Sequence, residues 1–263
     1  MSVVALRIGA FLGVFLLLFA LERVLPRRRH RQAATYLTNL GIFLIDSVLT
    51  RLLLVAGGVA TAVWAEAQGI GLFGILDAPL WVAVAISLVL LDLSVWAQHV
   101  ATHKIPLLWR LHEIHHADEQ VDVTTGLRFH PLEIVLSLLF KSLTVILLGA
   151  PVVAVIAFEI VLNAGAMFSH SNLKLPPRVD RALRLVTVTP DMHRVHHSVH
   201  RDEADSNYGF FLPWWDYLFR TYRAQPRDGH QAMALGVRGS PDRRLRTLLA
   251  RPFVRRVRTT PAR

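Results

Sequence analysis

Residues 79–116 read PLWVAVAISLVLLDLSVWAQHVATHKIPLLWRLHEIHH, an apolar run that passes without a break into five histidines. Its first part, residues 79–98, is long enough to cross a bilayer as a helix. The continuation places His99 four residues before His103, and His112 four before His116, so each pair lies on one helical face. A third cluster, His193, His196 and His197, repeats the H-x-x-H-H spacing of His112, His115 and His116. Each i, i+4 pair presents two ring nitrogens to one point, and His115 and His196 supply further donors. Imidazole is the commonest protein ligand for transition metals at neutral pH. Eight clustered histidines are enough for two metal ions and more than packing requires.

The rest of the composition agrees with a membrane chain. Of 263 residues 53% are hydrophobic, and mean hydropathy is +0.40, which excludes an ordinary soluble domain. There is no cysteine, which removes disulfides, iron–sulfur clusters, thiolate haem ligation and Cys-type zinc sites. The net charge of +10 sits mostly in short segments beside apolar runs, where it points to a membrane surface and not to nucleic acid.

The apolar runs set the organisation. Residues 3–21 are read as a first span; no small-x-small cleavage site precedes the basic segment 26–31, so a cleaved signal peptide is the weaker reading. Residues 36–64 are expected to form a second span, interrupted by Asp46, Arg51 and Gly57-Gly58, and residues 79–98 a third. Residues 132–148 and 151–169 form a hairpin of two short apolar segments, full or re-entrant, each about 25–29 Å long as helix. The basic 27–31 cluster belongs in the cytoplasm by the positive-inside rule, and the segments 65–78 and 149–151, which have no Lys or Arg, belong outside. All three histidine clusters then fall on the cytoplasmic side. The expected fold is an all-α integral membrane bundle of about four or five spans with a cytoplasmic helical cap. Residues 1–98 form the anchor, 99–224 the histidine-bearing region including the hairpin 132–169, and 225–263 a basic tail that lies on anionic lipid or lacks order.

An exposed histidine-rich tract would lack apolar patterning. Here eleven of the thirteen histidines lie between residues 99 and 200, interleaved with Leu, Ile and Trp as in Leu107-Leu108-Trp109-Arg110-Leu111-His112. His30 and His230 stand apart in basic or loop-like settings and read as structural or exposed.

The arrangement H-x3-H, then H-x2-HH, then a later H-x2-HH resembles the fatty acid hydroxylase superfamily, or sterol desaturase family, of membrane di-iron enzymes. Leu108-Trp109-Arg110-Leu111-His112-Glu113-Ile114-His115-His116 is similar to its second box. Arg128-Phe129-His130-Pro131-Leu132-Glu133 follows as in many bacterial members, and Phe168-Ser169-His170-Ser171-Asn172 precedes the last box. Pro190-Asp191-Met192-His193-Arg194-Val195-His196-His197-Ser198, Asn207-Tyr208-Gly209 and Trp215-Asp216 complete a likeness covering roughly residues 90–222.

The resemblance implies two non-haem irons on the eight box histidines, reduced by electrons from a separate reductase or a ferredoxin or cytochrome donor. With O2 they would oxidise an unactivated C–H bond of a lipid. The outcome would be an alcohol or, by a second hydrogen abstraction, an alkene. Substrates in the family include sterols, fatty acyl chains, sphingoid bases, alkylglycerols and carotenoids. A ligand set without sulfur also suits zinc. The setting it implies is a bacterial inner membrane with the boxes in the cytoplasm.

Helper residues are expected among His170, His130 and His200 as auxiliary ligands, with His170 the first choice. Asp92 shares the face of His99 and His103 and would accept a ligand's second N–H, or else contact another span. Glu159 and Asn163 share a face with His170 and would support ligands or line the substrate path. Asp205, Asn207 and Asp216 would hydrogen-bond ligand histidines. Asp191 reads as a helix N-cap, Arg110 and Arg194 as contacts to lipid head groups or to an acidic donor protein, and Trp214 and Trp215 as interface anchors. Two rivals are weighed. A metal transporter or store would place ligands near the bilayer midplane, whereas these flank the spans. A membrane-surface binding module with relic histidines need not have kept all eight.

Overall fold

The computed structural model of the chain describes residues 2–29, 34–53, 57–238 and 244–254. Among these the regular structure is helical, and the only β pairing consists of two isolated bridges, Pro26 with Leu173 and Ser198 with Leu235. Helix α1 is Val3–Val24, opened by Ser2, whose hydroxyl accepts from the Ala5 N–H at 3.2 Å.

Residues 36–64 do not form one helix. They divide between α2 (Ala34–Leu52) and α3 (Gly58–Gln68), with Gly57 extended at φ −69°, ψ 145°. A glycine pair weakens a helix interior, and here it also serves packing. A Cβ on Gly58 would lie 2.8 Å from Glu159 Oε1, so the absence of a side chain lets α3 approach α8 (Val152–His170).

Short α4 (Leu72–Ile75) leads to α5 (Leu80–Lys104). At about 1.5 Å per residue α5 is about 37 Å long, longer than the hydrocarbon layer. Its last turns therefore carry His99 and His103 past the apolar part without leaving the helix. Pro106 is the first residue of α6 (Pro106–His116) and holds the preceding Ile105 extended, which turns the chain between the two histidine helices. The hairpin is α7 (Pro131–Leu148) and α8, separated by Gly149 in the left-handed region at φ 62°. Gly71, at φ 102°, packs its backbone directly against Gly149, so the loop before α5 and the hairpin turn, both without Lys or Arg, share one end of the bundle. The histidines occupy the other.

Among the described residues four helices are long and apolar enough to cross a membrane: α1, α5, α7 and α8. Their apolar residues supply two stripes. One forms the core shared by α5, α7 and α8, with Leu91, Val95, Val145, Val155 and Phe158. The other stays exposed, as in Leu136, Leu139, Leu143 and Leu147 of α7, three or four apart.

The cap is built from α6, the 117–130 loop, α9 (Pro177–Leu183), α10 (Pro190–His196), α11 (Arg201–Ala204) and α12 (Trp214–Leu218). Buried polar groups in the loop are matched. Asn39 of α2 donates to Asp118 and Thr124 at 3.0 and 2.9 Å and accepts from Arg128 Nη1 at 2.9 Å, while Arg128 Nε donates to the Ile114 carbonyl. The basic tail does not behave as an unstructured extension over its described part. It forms α13 (Gly229–Ala232) and α14 (Leu245–Ala250), buries Met233 and Leu248 completely, and sends Arg251 to Glu113 at 2.6 Å. Met233, Leu235 and Leu248 are buried, whereas Phe253 and Val254 stay exposed.

Candidate metal centre

Three helices and the end of a fourth bring nine buried histidines together. Their candidate ligand atoms form two groups, each within 4.8 Å: His99, His103, His112, His116 and His196 in one, His115, His170, His193 and His197 in the other. The helical spacing explains the division. Residues four apart stay together, so α5 gives 99 and 103, α6 gives 112 and 116, and α10 contributes His193 while His197 follows at its C-cap. His115 and His196, one residue before the last histidine of their clusters, face the opposite group. His170, the last residue of α8, completes the four-membered set.

Hydrogen bonds fix which nitrogen each ring offers. Nδ1 of His99 meets the Tyr208 carbonyl at 2.7 Å, that of His115 the Arg128 carbonyl at 3.1 Å, that of His170 the Ala166 carbonyl at 2.6 Å and that of His196 the Ser206 carbonyl at 2.7 Å. Nδ1 of His112 meets Glu133 Oε1 at 2.6 Å. A carbonyl or carboxylate only accepts, so Nδ1 donates and Nε2 keeps a bare lone pair. These lone pairs face one another. Nε2 of His99 lies 3.1 Å from that of His112 and 3.0 Å from that of His196; Nε2 of His170 lies 3.0 Å from that of His115 and 3.1 Å from that of His193. Neither ring of the His99–His112, His99–His196 or His115–His170 pairs has a proton to place between them. A separation of about 3.0 Å is that of adjacent donors about 2.1 Å from one ion. Nε2 of His103, His116 and His197 is buried with no hydrogen-bond partner. The donor set therefore fits transition metal ions.

Burial also keeps the rings neutral. It pushes His115, His116, His193 and His197 well below the usual imidazole range, with neighbouring histidines adding to the effect, and lowers His196 to about 3. Lone pairs thus stay available across the physiological range.

The surrounding residues depart in several places from the sequence expectations. Asp92 does not reach a histidine; it accepts from the Trp215 indole at 2.8 Å, which buries Trp215 and removes it from any interface role. Trp214 remains exposed and donates to the Leu185 carbonyl. Asp216 and Asn207 touch no histidine side chain but shape the backbone that does. Asp216 accepts from the N–H groups of Tyr208 and Gly209 at 2.9 and 2.8 Å and from Trp96 and Thr221. Asn207 adopts φ 51°, and its side chain bonds Met192 and Arg223, so that the flanking Ser206 and Tyr208 carbonyls reach His196 and His99. Asp205 Oδ1 stands 3.6 Å from His103 Nδ1, beyond a direct hydrogen bond, and its other oxygen binds Lys104.

His130 caps α7, accepting from the Leu132 N–H, and binds the Leu249 carbonyl; His200 pairs with Asp228. Neither joins the nine. His230 is buried, 3.8 Å from Asp191, and not exposed; His30 lies outside the described residues. The N-cap of α10 is Thr189, while Asp191 holds Arg27 and Arg194. Arg194 is thereby buried, with no access to lipid or a partner; Arg110 is exposed. Glu133 is a functional residue that the spacing of the histidines does not reveal. Its signal was its place three residues after His130 at the opening of an apolar helix, where an unpaired carboxylate is costly.

A cavity of about 880 Å³ runs from the histidines between α1, α2, α3, α7 and α8. His99, His112, Phe129 and Phe210 line it, and its walls are mainly apolar. Glu159, ion-paired with Arg7, and Asn163 line it, and neither is bonded to a histidine.

The fatty acid hydroxylase family model matches residues 84–221, the segment that carries all nine histidines. The ornithine lipid hydroxylase OlsE of Rhizobium tropici is 29% identical over 180 residues, 68% of this chain and 53% of that protein. The human alkylglycerol monooxygenase is 31% identical over 137 residues, 51% of this chain and 29% of its own length. The very-long-chain aldehyde decarbonylase GL1-4 of Oryza sativa subsp. indica is 26% identical over 153 residues, 55% of this chain and 24% of its own length. The chain thus spans about half the length of the first relative and less than a third of the other two. No solved structure matches. The chain belongs to the fatty acid hydroxylase family.

Proposed function

We propose that this chain is a membrane-bound, O2-dependent lipid hydroxylase that holds two non-haem irons. His99, His103, His112, His116 and His196 hold one, and His115, His170, His193 and His197 the other. The observation that carries this reading is the pairing of bare Nε2 lone pairs at 3.0–3.1 Å beside a lipid-sized, mainly apolar cavity lined by His99 and His112. When bound, iron supplies the redox chemistry that couples O2 to cleavage of a C–H bond.

The chain's own residues supply the setting. Carbonyls and Glu133 hold the Nδ1 protons and fix ring orientation. The cavity excludes water and directs an alkyl segment toward His99 and His112. Phe129 and Phe210 line the same space. Hydroxylation is favoured over desaturation because the names of two relatives, an ornithine lipid hydroxylase and an alkylglycerol monooxygenase, describe hydroxylation and mono-oxygenation of lipids. The positive-inside pattern supports a cytoplasmic cap, where a separate electron-donor protein would dock.

The test is comparative lipid mass spectrometry under oxygen-18 gas, on cells carrying a competent electron donor and either the intact chain or His196→Ala. A lipid that gains one labelled oxygen only with the intact chain supports the proposal. A lipid that loses two hydrogens without label makes the enzyme a desaturase. No difference between the two overturns the enzymatic reading.

A further inference from the structure

Helix α2 turns one face inward, Thr35, Asn39, Ile42 and Asp46 at intervals of four, three and four residues, all buried and three of the four polar. Asn39 is fully matched by Asp118, Thr124 and Arg128. Asp46 is not. It is 6% exposed, and both its carboxylate oxygens are buried without a hydrogen-bond donor. It lines the cavity that reaches His99 and His112 and lies close enough to Glu133 for their charges to interact. Glu133 Oε2 is likewise buried without a donor, since Oε1 serves His112. Nearby hydroxyls give no relief: Ser47 donates to the Phe43 carbonyl, and Thr50 to those of Asp46 and Ser47. Arg7, Arg51 and Lys141 line the same cavity, yet among the described residues no cation forms an ion pair with Asp46, and the Arg7 guanidinium is taken by Glu159. Unmatched buried carboxylate oxygens are rare, because the lost hydration is not replaced.

We propose that Asp46, together with Glu133 Oε2, receives a hydrogen-bond-donating group, an amine or a hydroxyl, on the polar part of the lipid substrate. That contact anchors the lipid and sets which carbon lies against the histidines. The inference rests on the cavity being the substrate site. It selects lipids with N–H or O–H donors over those whose polar atoms only accept, since a site built around buried acceptors rejects analogues that leave them unpaired.

The test uses the full chain purified in detergent, with iron content measured on each preparation. Hexadecylamine, hexadecanol and methyl hexadecyl ether compete against a fluorescent alkyl probe. In the wild type the amine and the alcohol should outcompete the ether by at least about tenfold. Asp46→Leu should bring all three within about twofold, because only the hydrophobic contribution remains. Asp46→Asn, nearly isosteric and so safe for folding, should keep the alcohol's advantage and lose the amine's. Equal competition by all three in the wild type, or an unchanged ranking in Asp46→Leu, overturns the proposal. Iron content and labelled product report separately on the metal centre. Iron and product without a donor preference refute only the role of Asp46; a preference without iron refutes the di-iron reading and leaves this role standing.

Discussion

Replacing Glu133 should loosen the five-histidine group without touching a ligand. Its Oε1 accepts the His112 Nδ1 proton at 2.6 Å, and its side chain is only 8% exposed. In Glu133→Ala that N–H would be left buried and unpaired. Such a loss costs about 1–3 kcal/mol, which at about 1.4 kcal/mol per decade is about 5- to 150-fold in affinity. The range agrees with the roughly 10- to 100-fold weakening typical when a ligand imidazole loses its supporting acceptor. Glu133→Gln keeps an acceptor and loses the charge, so about 1 kcal/mol, or about fivefold, is expected. The assay is iron titration of the purified chain against a competing chelator, with iron per chain read by plasma mass spectrometry. One iron should weaken and the other hold, because His115, His170, His193 and His197 do not contact Glu133. Wild-type affinity in Glu133→Ala, alongside lost affinity in His112→Ala, would refute the supporting role of the carboxylate.

His170→Ala should remove one of two irons, whereas His130→Ala and His200→Ala should leave both; an intact iron count in His170→Ala would sink the four-membered group. Asp216→Ala frees two buried backbone N–H groups and the Trp96 indole, at about 1–3 kcal/mol each. It should therefore lower the thermal midpoint by at least about 6 °C at about 2–4 °C per kcal/mol, and an unchanged midpoint would show that the Tyr208 loop holds itself. Burial lowers His230 to about 4 from its ordinary 6.5, with Asp191 opposing. The unfolded chain thus binds a proton that the native chain refuses between those values, and native stability falls as pH drops from about 6.5 toward 4. His230→Gln should flatten that decline between pH 7 and pH 5 in thermal scans; an identical decline would assign it to other groups.

Much of this was legible in the residues because helical periodicity carries both the spans and the ligand pairs. The i, i+4 spacing of His99/His103, His112/His116 and His193/His197 forecast which rings share a group. The apolar run 79–98 forecast a helix that delivers two histidines at its end. What periodicity cannot carry is contact between distant segments. Trp215 has the profile of an interface anchor until Asp92, 123 residues away, is seen to take its indole proton. Arg194 looks like a surface cation until Asp191 and the Ser171 carbonyl enclose it. The break at Gly57 was visible as a glycine pair, but that the chain needs it for the approach of Glu159 was not. Tail residues are too sparse to form a pattern, yet Leu248 is buried against Ile42, Ile114 and Ala117.

The same hydrogen bonds that arrange the histidines make the metal-free site unfavourable. Carbonyls of Tyr208, Arg128, Ala166 and Ser206 hold four Nδ1 protons, which leaves their Nε2 lone pairs directed at other lone pairs about 3 Å away. Protonation would relieve the repulsion, but burial opposes an imidazolium at His115 and His196, and a second proton nearby would be worse still. A cation between the rings removes both difficulties at once. Metal binding should therefore appear as folding free energy, concentrated in the α5–α6–α10 junction and the Tyr208 loop. Chelation should expose the backbone amides of Ser206 to Gly209 to hydrogen exchange before it affects α7. Exchange that instead rises uniformly along the chain would mean that the cap is held by its apolar contacts, and that the histidine lattice is stable without an ion.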